Sequence, residues 1–164
     1  MKKLLLMIFG VSLFFSADAQ TLPTTYTSTN VVTAIRYPAD FDWLPDGRYI
    51  VTQKGDNSFP AANAFIKIYS SAGAALGNYY NLTDSVDSDF ERGLLGIAVD
   101  PNFATNAYIY VYYNYRNAAQ NKLQMRVVRF TTVGNVGTNP TTIHCLNPTC
   151  LYSFITISTG FWKT

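Results

Sequence analysis

The chain has 164 residues, 48% of them hydrophobic and only 13% charged, with a formal net charge of +2. No Lys/Arg cluster or stripe accompanies that small charge, so binding to nucleic acid or to an anionic membrane surface has no electrostatic support. Twelve tyrosines and a low charge content suit a β-rich extracellular domain.

The first element in chain order is a leader. Lys2 and Lys3 open it, Leu4 to Phe15 is apolar, and Ala17-Asp18-Ala19 supplies a small-x-small cleavage pattern before Gln20. The apolar run is shorter than the ~20 residues a spanning helix needs. The reading is a signal peptide over residues 1–19, with export to the periplasm or exterior of a bacterium and no membrane anchor after cleavage. The remainder is near neutral and long enough for one modest core.

After the leader, helical periodicity is nearly absent. Short runs of Val, Ile, Tyr, Phe and Thr alternate with Gly, Pro, Asn and Asp, which reads as strands and turns. Strands are expected at Asp40 to Leu44, Tyr49 to Lys54, Ala64 to Ser70 and Asn78 to Leu82. A second group is expected at Leu95 to Val99, Tyr108 to Tyr115 and Leu123 to Thr131. Pro45-Asp46-Gly47 is a turn with a mechanism, since proline presets φ and glycine accepts φ > 0. Asp100-Pro101-Asn102-Phe103 opens a longer connection.

The two groups repeat. "DWLPDGRYIVTQ" lies over "IAVDPNFATNAYIYVYY", and "IKIYSSAG" lies over "RVVRFTTVG", at a period of about 60 residues. Each period holds about four strands, the signature of a β-propeller blade. The expected fold is therefore all-β, about two blades of a propeller. Two blades fall short of the four to eight that close a ring, so the ring is expected to be incomplete, with open edges that favour aggregation.

The stretch "ERGLLGIAVDPNFATNAYIYVYYNY" (Glu91 to Tyr115) resembles the glucose/sorbosone dehydrogenase family, the soluble quinoprotein aldose dehydrogenases. There a Gly-Leu-Leu-Gly strand leads through Asp-Pro-x-Phe into a tyrosine-rich strand. "LPDGRYIVTQKG" and "MRVVRFTT" are similar to the flanking strands, and the resemblance covers Val31 to Pro140, in a segment taken as 20–142. It implies a six-bladed propeller that binds pyrroloquinoline quinone (PQQ), with calcium holding the quinone. Sugar substrates lose hydride from C1 to the quinone, a histidine serves as general base, and an electron acceptor completes the cycle.

Carried over by position, the polar residue just before Gly-Leu-Leu is Glu91, or Arg92 in its place, as a cofactor-binding candidate facing the central funnel. Against it stands a solvated turn pair worth little to stability. The family's His-x-Gly-Gly motif is missing, so the catalytic residue is unknown. The single histidine, His144, sits in "TTIHCLNPTC" without those glycines. His144, Cys145 and Cys150 lack a fourth ligand and a recognised metal spacing, leaving a bland loop, disulfide-bridged or not. Residues 143–164 read as an atypical tail, the product of truncation or a frameshift, with a real C-terminal strand closing a small domain as the alternative.

Two functions compete. One is the N-terminal part of an exported PQQ-dependent aldose dehydrogenase, inactive by itself. The other is a non-enzymatic extracellular propeller that binds carbohydrate or a protein partner.

Overall fold

The computed structural model describes residues 25–117 and 122–146. The signal segment, Cys150 and the end of the expected tail lie outside them. The chain divides into two units, residues 1–30 and 31–164. Of the first, residues 25–30 are described, and they form neither helix nor strand. The second holds two four-stranded antiparallel meanders.

In the first sheet, β1 (Pro38–Trp43), β2 (Tyr49–Gln53), β3 (Phe65–Tyr69) and β4 (Ala75–Asn81) lie in chain order. In the second, β5 (Leu94–Val99), β6 (Tyr108–Asn117), β7 (Lys122–Val133) and β8 (Val136–Leu146) do the same. One helical turn, α1 (Phe103–Asn106), interrupts the β5–β6 connection and ends at Ala107 with φ of 55°. This is the expected four-strand repeat: an all-β chain carrying two blades of a β-propeller.

The turns follow the residues that make them. At Pro45-Asp46-Gly47, the Leu44 N–H donates to the Arg48 carbonyl at 2.7 Å and Gly47 takes φ of 86°. Strand β8 was not expected. Its sequence is polar, it contains Pro140, and its register against β7 shifts between Arg129 and Thr131. Proline is tolerated there because β8 is an outer edge strand whose N–H groups need no further partner. The strand also runs past residue 143, where the tail was expected to begin.

Strand alternation sends one face of each sheet to a shared core. Ile50, Ile66, Ile68 and Tyr79 of the first sheet meet Leu94, Ile109, Val111, Tyr113, Val128 and Phe130 of the second. Each such aliphatic side chain stabilises the fold by about 1.5–3 kcal/mol through removal from water. The Tyr79 ring stands edge-on to Phe130 with centroids 6.3 Å apart. Its hydroxyl bonds Thr132 Oγ1 at 2.8 Å. A smaller cluster, Tyr49, Val51 and Tyr69, lies on the far face of the first sheet beneath Val32 and Ile35.

The first strands of the two sheets, β1 and β5, are joined through side chains rather than by a backbone ladder. Asp42 Oδ1 accepts the Trp43 N–H at 2.8 Å, while its Oδ2 accepts the Val99 N–H at 2.7 Å. Asp40 repeats the pattern one rung away, with Phe41 at 2.9 Å and Ile97 at 3.1 Å. Each carboxylate thus satisfies an edge N–H on both strands, which would otherwise lie unpaired. At the turn end, Arg48 Nη1 donates to the Gly134 carbonyl at 2.7 Å and to Asn135 Oδ1 at 2.5 Å, tying the two blades again.

Candidate functional site

Two connections converge at the start of β5: residues 54–64 between β2 and β3, and residues 82–93 between β4 and β5. At their centre Asp87 is completely buried. A buried carboxylate needs charge and hydrogen-bond compensation, and Asp87 has both. Arg92 Nε donates to its Oδ1 at 2.9 Å and Arg116 Nε to its Oδ2 at 2.5 Å. The Asp89 N–H adds a bond to Oδ1 at 3.1 Å. Burial works to raise the Asp87 carboxyl, and the bonds from Arg92, Asp89 and Arg116 outweigh it, holding Asp87 below the usual carboxylate range. Arg92 in turn is held above its ordinary value, chiefly by its bond to Asp87. Its Nη2 also reaches Asp89 Oδ2 at 3.0 Å.

Lys54 anchors the other side. Its ammonium donates to Asn57 Oδ1 at 2.8 Å, to the Ser88 carbonyl at 3.3 Å and to the Phe90 carbonyl at 2.5 Å. Its own carbonyl accepts the Leu94 N–H at 3.0 Å, fixing the start of β5. Gly93 makes that approach possible. With φ of 151° and a Cβ position only 2.6 Å from the Lys54 carbonyl oxygen, no other residue fits. Gly55 serves similarly against Ser88, whose Cβ would lie 2.6 Å from an added methyl.

The two residues singled out from sequence therefore part company. Arg92 is engaged inward by Asp87 and Asp89. Glu91 is exposed, and its carboxylate has no side-chain partner among the described residues. Phe90, which sequence reasoning passed over, is 78% exposed with φ of 52°. Only the unusual run Asp89-Phe90-Glu91, an apolar residue stranded between carboxylates, could have signalled it.

His144 lies on β8 opposite Val127, half-buried, with Nε2 lacking a partner. It stands three strands out from β5, about 14 Å at the usual strand spacing. Cys145, beside it, is exposed. Among the described residues no group of three or more His, Cys, Asp or Glu is placed to hold a metal ion, so they do not fit a calcium site. Nor do they alone fit a quinone with three carboxylates: Lys54 already serves Asn57 and two carbonyls, and Arg92 serves two aspartates.

The glucose/sorbosone dehydrogenase family model matches residues 35–150, and the chain belongs to that family. A search among curated proteins found no match. Among solved structures, a glucose dehydrogenase is similar at 14% identity and a TM-score of 0.57, over 70% of this chain and 31% of that one. The soluble aldose sugar dehydrogenase of Escherichia coli, in its apo-form, gives 16% identity and a TM-score of 0.55, over 68% and 30%. The PQQ-bound aldose sugar dehydrogenase of Streptomyces coelicolor gives 23% and 0.55, over 71% and 32%. The chain thus spans about a third of the length of these structures.

Proposed function

We propose that this chain supplies two blades of an exported quinoprotein that oxidises aldose sugars at the C1 hydroxyl. In the complete protein PQQ would supply the redox chemistry, and protein groups would orient the reactants. The observation that carries the reading is the family match over residues 35–150. It is supported by the position of Glu91, an exposed carboxylate leading into the first strand of the second blade.

In this reading Glu91 contributes a hydrogen-bond acceptor to the wall of the funnel that receives cofactor and sugar. Arg92 acts through Asp87 and Asp89 and holds Glu91 in place. Calcium and the general base come from residues beyond those described. The leader directs the protein out of the cytoplasm. By itself the chain carries too little of the site to turn over.

The test is dye reduction with glucose, with and without PQQ and calcium. The complete protein should reduce dye only when the quinone is supplied, and this chain alone should not reduce it at all. Activity indifferent to the quinone would end the proposal. Sugar or protein binding with no quinone-dependent turnover would move the non-enzymatic propeller ahead.

A further inference from the structure

We infer that Phe90 is a stacking platform for the sugar ring at the mouth of the funnel, presented there by Lys54. The inference rests on the function proposed above and names a specificity residue within it. A large aromatic side chain 78% in solvent, on an otherwise well-packed connection, contributes little to the core. Its backbone is also in the left-handed region at φ of 52°, where a bulky side chain is disfavoured. Glycine would adopt that conformation freely.

The conformation is imposed by the neighbourhood. The Lys54 ammonium grips the Phe90 carbonyl at 2.5 Å and the Ser88 carbonyl at 3.3 Å. Arg92, two residues beyond Phe90, reaches back to Asp87 and Asp89 and so closes the connection around it. An over-determined, unfavourable backbone that holds an aromatic ring in water is the kind of outlier associated with ligand sites.

The chemistry selects the ligand. An aromatic face takes the C–H face of a pyranose, and the adjacent exposed carboxylate of Glu91 accepts a hydroxyl. A flat apolar partner would use Phe90 but leave Glu91 desolvated without a donor. A hydroxylated ring uses both.

Saturation-transfer NMR between this chain and D-glucose, without quinone, tests the assignment. Transfer to the glucose C–H protons is expected in the natural chain and in F90W, and absent in F90A and F90G. K54M, which keeps the stem but loses the tether, should weaken transfer although the ring is present. F90G should at the same time match or exceed the natural chain in urea midpoint, because strain is relieved; a merely structural Phe90 would lower it. Absence of transfer in the natural chain, or its persistence in F90A and F90G, overturns the inference. The dye-reduction assay is separate. Quinone-dependent turnover with unaltered transfer in F90A removes only the Phe90 assignment. Phe90-dependent transfer with no quinone-dependent turnover removes only the enzyme reading.

Discussion

Removing the Asp42 carboxylate should loosen the junction between the two blades. In D42A, two edge N–H groups lose their acceptor, Trp43 at 2.8 Å and Val99 at 2.7 Å. Trp43 is exposed and water replaces the lost oxygen there, so little of the cost arises from that bond. Val99 lies in the part-buried seam between β1 and β5. A hydrogen bond to a charged group contributes about 1.5–3 kcal/mol, so D42A should cost about 2 kcal/mol. The double variant D40A/D42A removes the Ile97 bond as well, and should cost about 3–5 kcal/mol on the same per-bond figure, with coupling between the adjacent rungs. Urea unfolding at constant m-value reads these as shifts in midpoint. In thermal scans each kcal/mol lowers the midpoint by about 2–4 °C. Asp84, exposed and away from the seam, provides the control, since D84A should stay within about 0.5 kcal/mol. If D42A is no more destabilising than D84A, the carboxylate link contributes nothing and the reasoning fails.

Other outcomes follow from the same geometry. D87N should cost about 3–5 kcal/mol, because it leaves Arg92 and Arg116 facing a neutral partner across a buried site. The folded-state carboxyl of Asp87 lies below its unfolded value, so its contribution is present above about pH 4 and lost as pH falls through the folded value. The difference in urea midpoint between D87N and the natural chain should be smaller at pH 3 than at pH 7. Tyr79 shows the opposite limb. Burial pushes its hydroxyl up to about 12, so its contribution falls as pH rises from the unfolded value near 10 towards 12, and Y79F should flatten that fall in alkaline unfolding curves. G93A should destabilise by more than about 1 kcal/mol, since its Cβ meets the Lys54 carbonyl oxygen at 2.6 Å as well as the Lys54 Cγ at 2.5 Å. Failure of G93A to lower the urea midpoint would mean that the connection relaxes.

What the sequence disclosed, and what it hid, divides along local and non-local lines. Pro45-Asp46-Gly47 and the tyrosine-rich run of β6 depend on neighbours in the chain, and the four-strand repeat could be read from them. Strand β8 was hidden because its residues are polar and include Pro140; it is held by pairing with β7, which composition does not reveal. Asp40 and Asp42 looked like ordinary polar positions of an alternating strand. Their role depends on β5, 57 residues away, whose edge donors they meet.

The candidate site shows the same division. Glu91 and Arg92 stood out through their place before Gly-Leu-Leu. Only the fold separates them, because Arg92 finds Asp87 on the same connection and Asp87 finds Arg116 on β6. The left-handed backbone of Phe90 depends on Lys54, which reaches it from the end of β2. No pattern in the residues around position 90 encodes that contact.

The most direct measurement is to read the gene through the codon for Thr164 and several hundred bases beyond. A reading frame there should encode further four-strand repeats, with a His-x-Gly-Gly turn opening the next blade. Sequence with no such repeat in any frame would contradict the claim that these two blades serve a quinoprotein dehydrogenase.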